Sequence, residues 1–82
     1  MISVIADSYL DGSIPSGCTQ ITDLYRAGVL VATTNMRQCR SGINDGVDHG
    51  SWGNENVKYY STTCVYLNGI RRGCASSPVQ VA

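Results

Sequence analysis

The sequence predicts an all-β fold: a small antiparallel β-sandwich or partly open barrel of roughly five to six strands, stabilised by two disulfides. Three observations predict it. The longest turn-free stretches are rich in Thr, Val, Tyr and Ile, which suit a pleated surface, and none repeats apolar residues at the helical period. Turn signals punctuate the chain, above all Asn68-Gly69 and Arg26-Ala27-Gly28. Cys18, Cys39, Cys64 and Cys74 form an even set in a chain of 82 residues, the pattern of a small disulfide framework.

The first strand is expected over Ile2–Leu10, ended by Asp11-Gly12 and by Pro15 with Gly17. A second over residues 19–25 and a third over residues 29–36 form a hairpin, because Gly28 can take the left-handed conformation that closes it. Folding that hairpin back brings Cys18 and Cys39 to the same end. Residues 57–67 make the longest strand, and Asn68-Gly69 turns it through a type I′ hairpin that needs positive φ at both central residues. A two-residue turn pairs Leu67 with Ile70 and Tyr66 with Arg71, which places Cys64 opposite Gly73. A bulge at Arg72-Gly73 would move Cys74 opposite Cys64 instead. Residues 75–82 read as a short edge strand limited by Pro78.

Residues 40–56 read differently. Gly42, Gly46, Gly50 and Gly53 alternate with Asn44, Asp45, Asp48, Asn54 and Asn56, so a long loop carrying Trp52 is expected. Loops longer than about 12–15 residues are uncommon in small domains and are often functional. Asp45, Asp48, His49, Trp52, Asn54 and the nearby Tyr59 are therefore the candidate binding residues.

Composition narrows the function classes. The chain is short enough for one domain, residues 1–82, with no Phe, one Trp and two Met, so its core alone is marginal. Disulfides are the expected supplement, and the pairing Cys18–Cys39 with Cys64–Cys74 is favoured by local geometry among the three possible. Zinc is not expected, because no two cysteines stand about two to four residues apart and His49 is the only histidine. Six basic and six acidic residues cancel, which leaves no basic field for nucleic acid or anionic membrane. The longest apolar run, residues 29–32, is too short to span a bilayer. The start Met1-Ile2-Ser3-Val4-Ile5-Ala6-Asp7 lacks the basic region of a secretory signal. Disulfides then imply a mature form with a supplied Met, another export route, or a virion protein oxidised after release.

No catalytic motif emerges. Asp48 and His49 are adjacent and do not orient toward each other, and no nucleophile-elbow sequence is present. Asp7 and Asp11 lie where acids cap a turn. The run Asn44-Asp45-Gly46-Val47-Asp48-His49 offers oxygen ligands of the kind calcium takes, but lacks the spacing and the final glutamate of a calcium loop. His49 is expected to be an exposed loop residue, and Trp52 to fold inward as the largest core side chain. A surface made by Trp52, Asn54, Glu55 and Asn56 with the nearby Tyr59 and Tyr60 is the alternative for Trp52. Arg37, Arg40, Arg71 and Arg72 would gather only if the two disulfides lay together; a solvated face is expected.

Neither enzymatic activity nor a cofactor is expected. The expected function is a non-enzymatic extracellular or surface-exposed structural subunit, of a filament or virion, that self-assembles through edge strands. Residues 2–5 and 79–81 are the segments suited to extend a neighbouring copy's sheet. The alternative is a secreted binding module, such as an enzyme inhibitor, an antimicrobial toxin or a sugar-binding domain, that takes a protein or glycan ligand through residues 40–56.

Overall fold

A computed structural model describes residues 2–52 and 55–82, with the backbone alone at Asp45. Every regular element is a strand: β1 (Ile2–Leu10), β2 (Cys18–Arg26), β3 (Val29–Thr33), β4 (Arg37–Gln38), β5 (Gly42–Ser51), β6 (Lys58–Leu67), β7 (Ile70–Ser76) and β8 (Gln80–Val81). They form two antiparallel sheets. One is the pair β1-β5; the other runs β3-β2-β6-β7, with β4 paired to β2 and β8 to β6. The smaller sheet lies over the larger, β5 against β2 and β3 and β1 against β2.

Both hairpins close as their turn residues require. Ala27 and Gly28 have φ of 50° and 80°, and Asn68 and Gly69 have 50° and 82°, the paired positive values of a type I′ turn. Ala in that first position is unfavourable on its own. Here the Ala27 amide donates to the Lys58 carbonyl at 2.8 Å, which ties the turn to β6. The strand expected over residues 29–36 stops at Thr33. Asn35 takes a φ of 58° and its amide donates to Thr33 Oγ1 at 3.1 Å, so side-chain hydroxyls turn the chain before β4 resumes pairing.

The bulge inferred from the second hairpin is present. Leu67 pairs with Ile70 and Tyr66 with Arg71, then Val65 with Gly73 and Cys64 with Cys74, leaving Arg72 as the extra residue. Disulfides join Cys18 to Cys39 and Cys64 to Cys74. They lie on opposite faces of the larger sheet. Cys18 shares the inward face with buried Gln20, Thr22 and Leu24, whereas Cys64 sits opposite Ile21 on the outward face. The two bridges therefore do not gather the four arginines into one patch. Cys18 and Cys39 are both buried, and Cys74 is exposed. Thiol exchange depends on access to a sulfur. Titration with a reductant is expected to open Cys64–Cys74 first, detected by alkylation and peptide mass mapping; simultaneous loss of both bridges would contradict this.

The largest correction concerns residues 40–56, most of which form β5 and not a loop. Ile2 pairs with Ser51, Ala6 with Val47 and Leu10 with Gly42, with a register shift between Ala6 and Ser8. At that shift Gly46 crosses close to β1: a Cβ there would stand 1.3 Å from the Ala6 carbonyl oxygen. The Gly46 amide donates to Asp7 Oδ1 at 3.0 Å, so the acid and the glycine together shape the irregularity.

The interior is small and partly polar. Ala6, Leu24 and Tyr59 form its centre, with Val4, Val31, Ala32, Val47, Val57 and Ala82 packed around them. Gln20, Thr22, Asn44, Ser51 and Ser61 are also buried. Ser8 Oγ donates to Gln20 Oε1 at 2.8 Å across the two layers, and the Thr22 and Thr63 hydroxyls bond at 2.8 Å within the larger sheet. Such pairs remove the penalty of burying lone polar groups but add little apolar burial.

Candidate functional site

The segment expected to act as one binding loop is distributed over several surfaces. Successive residues on β5 point to opposite sides of its sheet. Asp48 is exposed on the outer side, and His49 turns inward, half-buried, with its ring 6.2 Å from that of Tyr59. The exposed loop histidine is thus corrected to a strand residue beneath the smaller sheet, and no Asp48–His49 dyad forms. Tyr59 is 2% exposed and belongs to the core, so it is not part of a binding surface. The Asp45 side chain and Asn54 lie outside what the structure describes.

Asn44 spends its amide on the local backbone. It accepts from the Arg40 amide at 3.2 Å and donates to the Arg40 and Gly42 carbonyls at 2.8 and 3.1 Å. That is the turn-forming role of an Asx side chain, and it leaves Asn44 unsuited to ligate a cation. No group of three or more metal-ligating side chains occurs among the described residues.

Trp52 does not fold inward. It is 77% exposed, because the chain leaves β5 just before it and the interior at that end is already filled by Tyr59. Its backbone amide donates to Glu55 Oε1 at 3.2 Å, and Glu55 Oε2 accepts from Arg26 at 2.6 Å. As the only tryptophan, Trp52 is expected to emit like a fully hydrated indole and to be quenched freely by acrylamide. A blue-shifted, protected emission would contradict this placement.

The Arg26–Glu55 pair has a definite electrostatic signature. The Glu55 carboxyl is held below the ordinary carboxylate range, first by the Arg26 hydrogen bond and then by the Trp52 amide. The Arg26 guanidinium is raised by its hydrogen bond to Glu55. The Tyr59 hydroxyl and His49 Nδ1 are buried and complete no hydrogen bond among the described residues. A lowered carboxyl contributes stability above its unfolded pKa and loses it as pH falls through the folded value. Replacing Glu55 by Gln should therefore slightly lower stability above about pH 4.5 and shrink the acid limb by the same small amount, the two curves converging at low pH, since exposed pairs contribute little. Urea melts across pH test this, and an unchanged acid limb would refute it.

A different feature, not visible in any local motif, occupies one whole side of the molecule. β1 pairs with β5 alone, and β7 and β8 pair with β6 alone, so the β1 and β7–β8 edges are both unpaired. Between them runs a groove. One part, about 400 Å³, lies between the first half of β1 and residues 77–82, with Leu24 and Tyr59 at its floor. The other, about 560 Å³, lies between the second half of β1 and residues 72–77, floored by Thr63 and Val65. The two meet at Asp7 and Ser77, so β1 and β7 run in opposite directions along a continuous cleft. All seven residues of β7 are exposed, including Gly73 and Ala75, which pair with Val65 and Thr63. The sandwich is left open here. Ile2, Val79 and Val81 are more than half exposed on the same side.

The sequence contained part of this signal. Residues 2–6 carry no charge and no proline, the composition of an edge strand without protection against pairing. What it could not show is that β7 ends up unpaired on the same side. In comparisons with known proteins, no family model matches the chain, and no curated protein or solved structure matches it significantly.

Proposed function

We propose that this chain is a non-enzymatic extracellular structural subunit that associates with copies of itself through its unpaired sheet edges. The observation that carries the reading is the open side of the sandwich, where two free edges flank a cleft floored by the half-buried Thr63 and Val65. Unpaired strand backbone is a template for another strand, and proteins that remain monomeric blunt it with charge, proline or bulges. Here the bulge in β1 comes only at Asp7, after an uncharged run, so the first half of that edge is unprotected, whereas the facing edge carries Arg71, a bulge at Arg72 and Pro78. Two disulfides are consistent with an oxidising, extracellular setting. Near-zero net charge offers little repulsion between copies.

Sedimentation velocity over a wide concentration range tests the reading. A sedimentation coefficient that rises with concentration is expected, and a monomer that persists to about 1 mM would overturn it. A second reading, a secreted binding module, draws on the exposed Trp52 held beside the Arg26–Glu55 pair, an arrangement suited to a protein or glycan partner. Trp52→Ala should leave self-association intact while removing any such binding.

A further inference from the structure

We infer that the Cys64–Cys74 bridge is a directional thiol-exchange site, at which an anionic thiolate bonds to Cys74 and Cys64 leaves. Thiolate–disulfide exchange is an in-line displacement. The nucleophile enters opposite the leaving sulfur, so access along that line decides which sulfur is attacked. Cys64 and Cys74 stand opposite each other on β6 and β7, on the outward face of the larger sheet. Approach to Cys74 on the side away from Cys64 comes from beyond β7, an edge strand whose seven residues are all exposed. Approach to Cys64 on the side away from Cys74 comes over β2, where half-buried Ile21 is the cross-strand neighbour of Cys64. The Cys18–Cys39 bridge is out of reach, because both of its residues are buried. Cys74 is the sulfur left open to attack.

Charge selects the thiol. Tyr66 and Cys64 share one face of β6, and their partners are Arg71 and Cys74, so Arg71 is the neighbour of Cys74 along the same face. β7 carries Arg71 and Arg72 and no acid. Asp23 on that face is two strands away, and Asp7 lies across the cleft. A thiolate that also carries carboxylates is drawn to this edge, whereas one that carries an ammonium group is not. The step balances without an oxidant. The incoming sulfur bonds to Cys74, the Cys64–Cys74 bond breaks, and its electron pair leaves on Cys64, which takes a proton from water. One disulfide replaces another. β6 keeps its ladder with β2, and the Asn68-Gly69 turn and the buried bridge remain, so the fold outlasts the exchange.

The test is a pulse of glutathione or of cysteamine, at equal thiolate concentration, on the protein with both bridges closed. Acid quenching, alkylation with N-ethylmaleimide and peptide mass mapping then locate the adduct. Adducts on Cys74 with alkylated Cys64 should exceed the reverse arrangement by at least about tenfold, with Cys18–Cys39 still closed. Relative to their rates with a small model disulfide, glutathione should outpace cysteamine. Arg71→Gln should cut that advantage by about threefold at low salt. Ile21→Ala clears the β2 side and should raise the share of adduct on Cys64 while Cys18–Cys39 stays closed, a result that general loosening of the fold would not give. Adducts shared equally between Cys64 and Cys74, or no exchange until the chain unfolds, would overturn the directional site. A glutathione advantage that Arg71→Gln leaves unchanged would overturn the selection by charge.

Discussion

Reduction of both disulfides is expected to unfold the chain at room temperature without denaturant. Among the described residues, Leu24 and Tyr59 are the only larger apolar side chains that are almost wholly buried, and much of the remaining interior is hydroxyl and amide. Burial of a large apolar side chain stabilises by roughly 1.5–3 kcal/mol, so this core is small against the entropy of ordering the chain. The bridges close loops with sequence separations of 21 and 10 residues. On the chain-entropy model each contributes about 3 kcal/mol, together about 6. Small domains have a net stability of about 5–15 kcal/mol, so the loss is comparable to the whole. Far-ultraviolet circular dichroism before and after reduction, with a urea titration of the oxidised form, measures the effect. A reduced chain that retains the oxidised melting temperature would show that packing alone suffices.

Gly46→Ala is expected to be the most damaging single exchange on the smaller sheet. An added Cβ would stand 1.3 Å from the Ala6 carbonyl oxygen and 3.0 Å from the Asp7 Cα, both backbone atoms that cannot swing aside. Relief requires β1 and β5 to separate at their irregular register, which also breaks the Gly46 amide bond to Asp7. Overpacking costs about 1–3 kcal/mol where side chains can yield, and backbone against backbone puts this case at about 3 kcal/mol or above. Gly73→Ala is the control. Nothing lies within 4 Å of a Cβ at Gly73, so its stability should stay within about 0.5 kcal/mol of the wild type. Chemical denaturation of both variants decides the matter. Equal effects would mean that the close approach at Gly46 does not constrain the fold.

The two glycines also mark where sequence reasoning works and where it stops. Gly73 is readable, because the Asn68-Gly69 register puts Cys64 opposite the wrong residue unless a bulge intervenes, and a bridge demands one. Gly46 is not readable in that way. It sits among Asx residues in a stretch whose inward positions on β5 are Asn44, Val47, His49 and Ser51, so no apolar alternation announces a strand. β5 exists because β1, with Ile2, Val4 and Ile5, presents a long backbone edge that needs a partner. Tertiary pairing here overrides a local preference for turns. Trp52 differs for a related reason: the largest apolar side chain, carried by an expected loop, is predicted to fill the core, whereas Tyr59 from β6 already fills it.

Local chemistry, then, settled what short-range physics can settle. Two hairpins, their positive-φ turns, the bulge at Arg72 and the cysteine pairing all follow from contacts between residues close in the chain. The all-β class follows from residue types that favour a pleated surface. Tertiary structure alone decided which strand meets β1, that His49 faces Tyr59, and that the β1 and β7–β8 edges lie unpaired on one side. Those outcomes depend on pairing between segments far apart in sequence, where backbone hydrogen bonding is indifferent to side-chain identity. An open edge is defined by the partner it lacks, and no residue type records that.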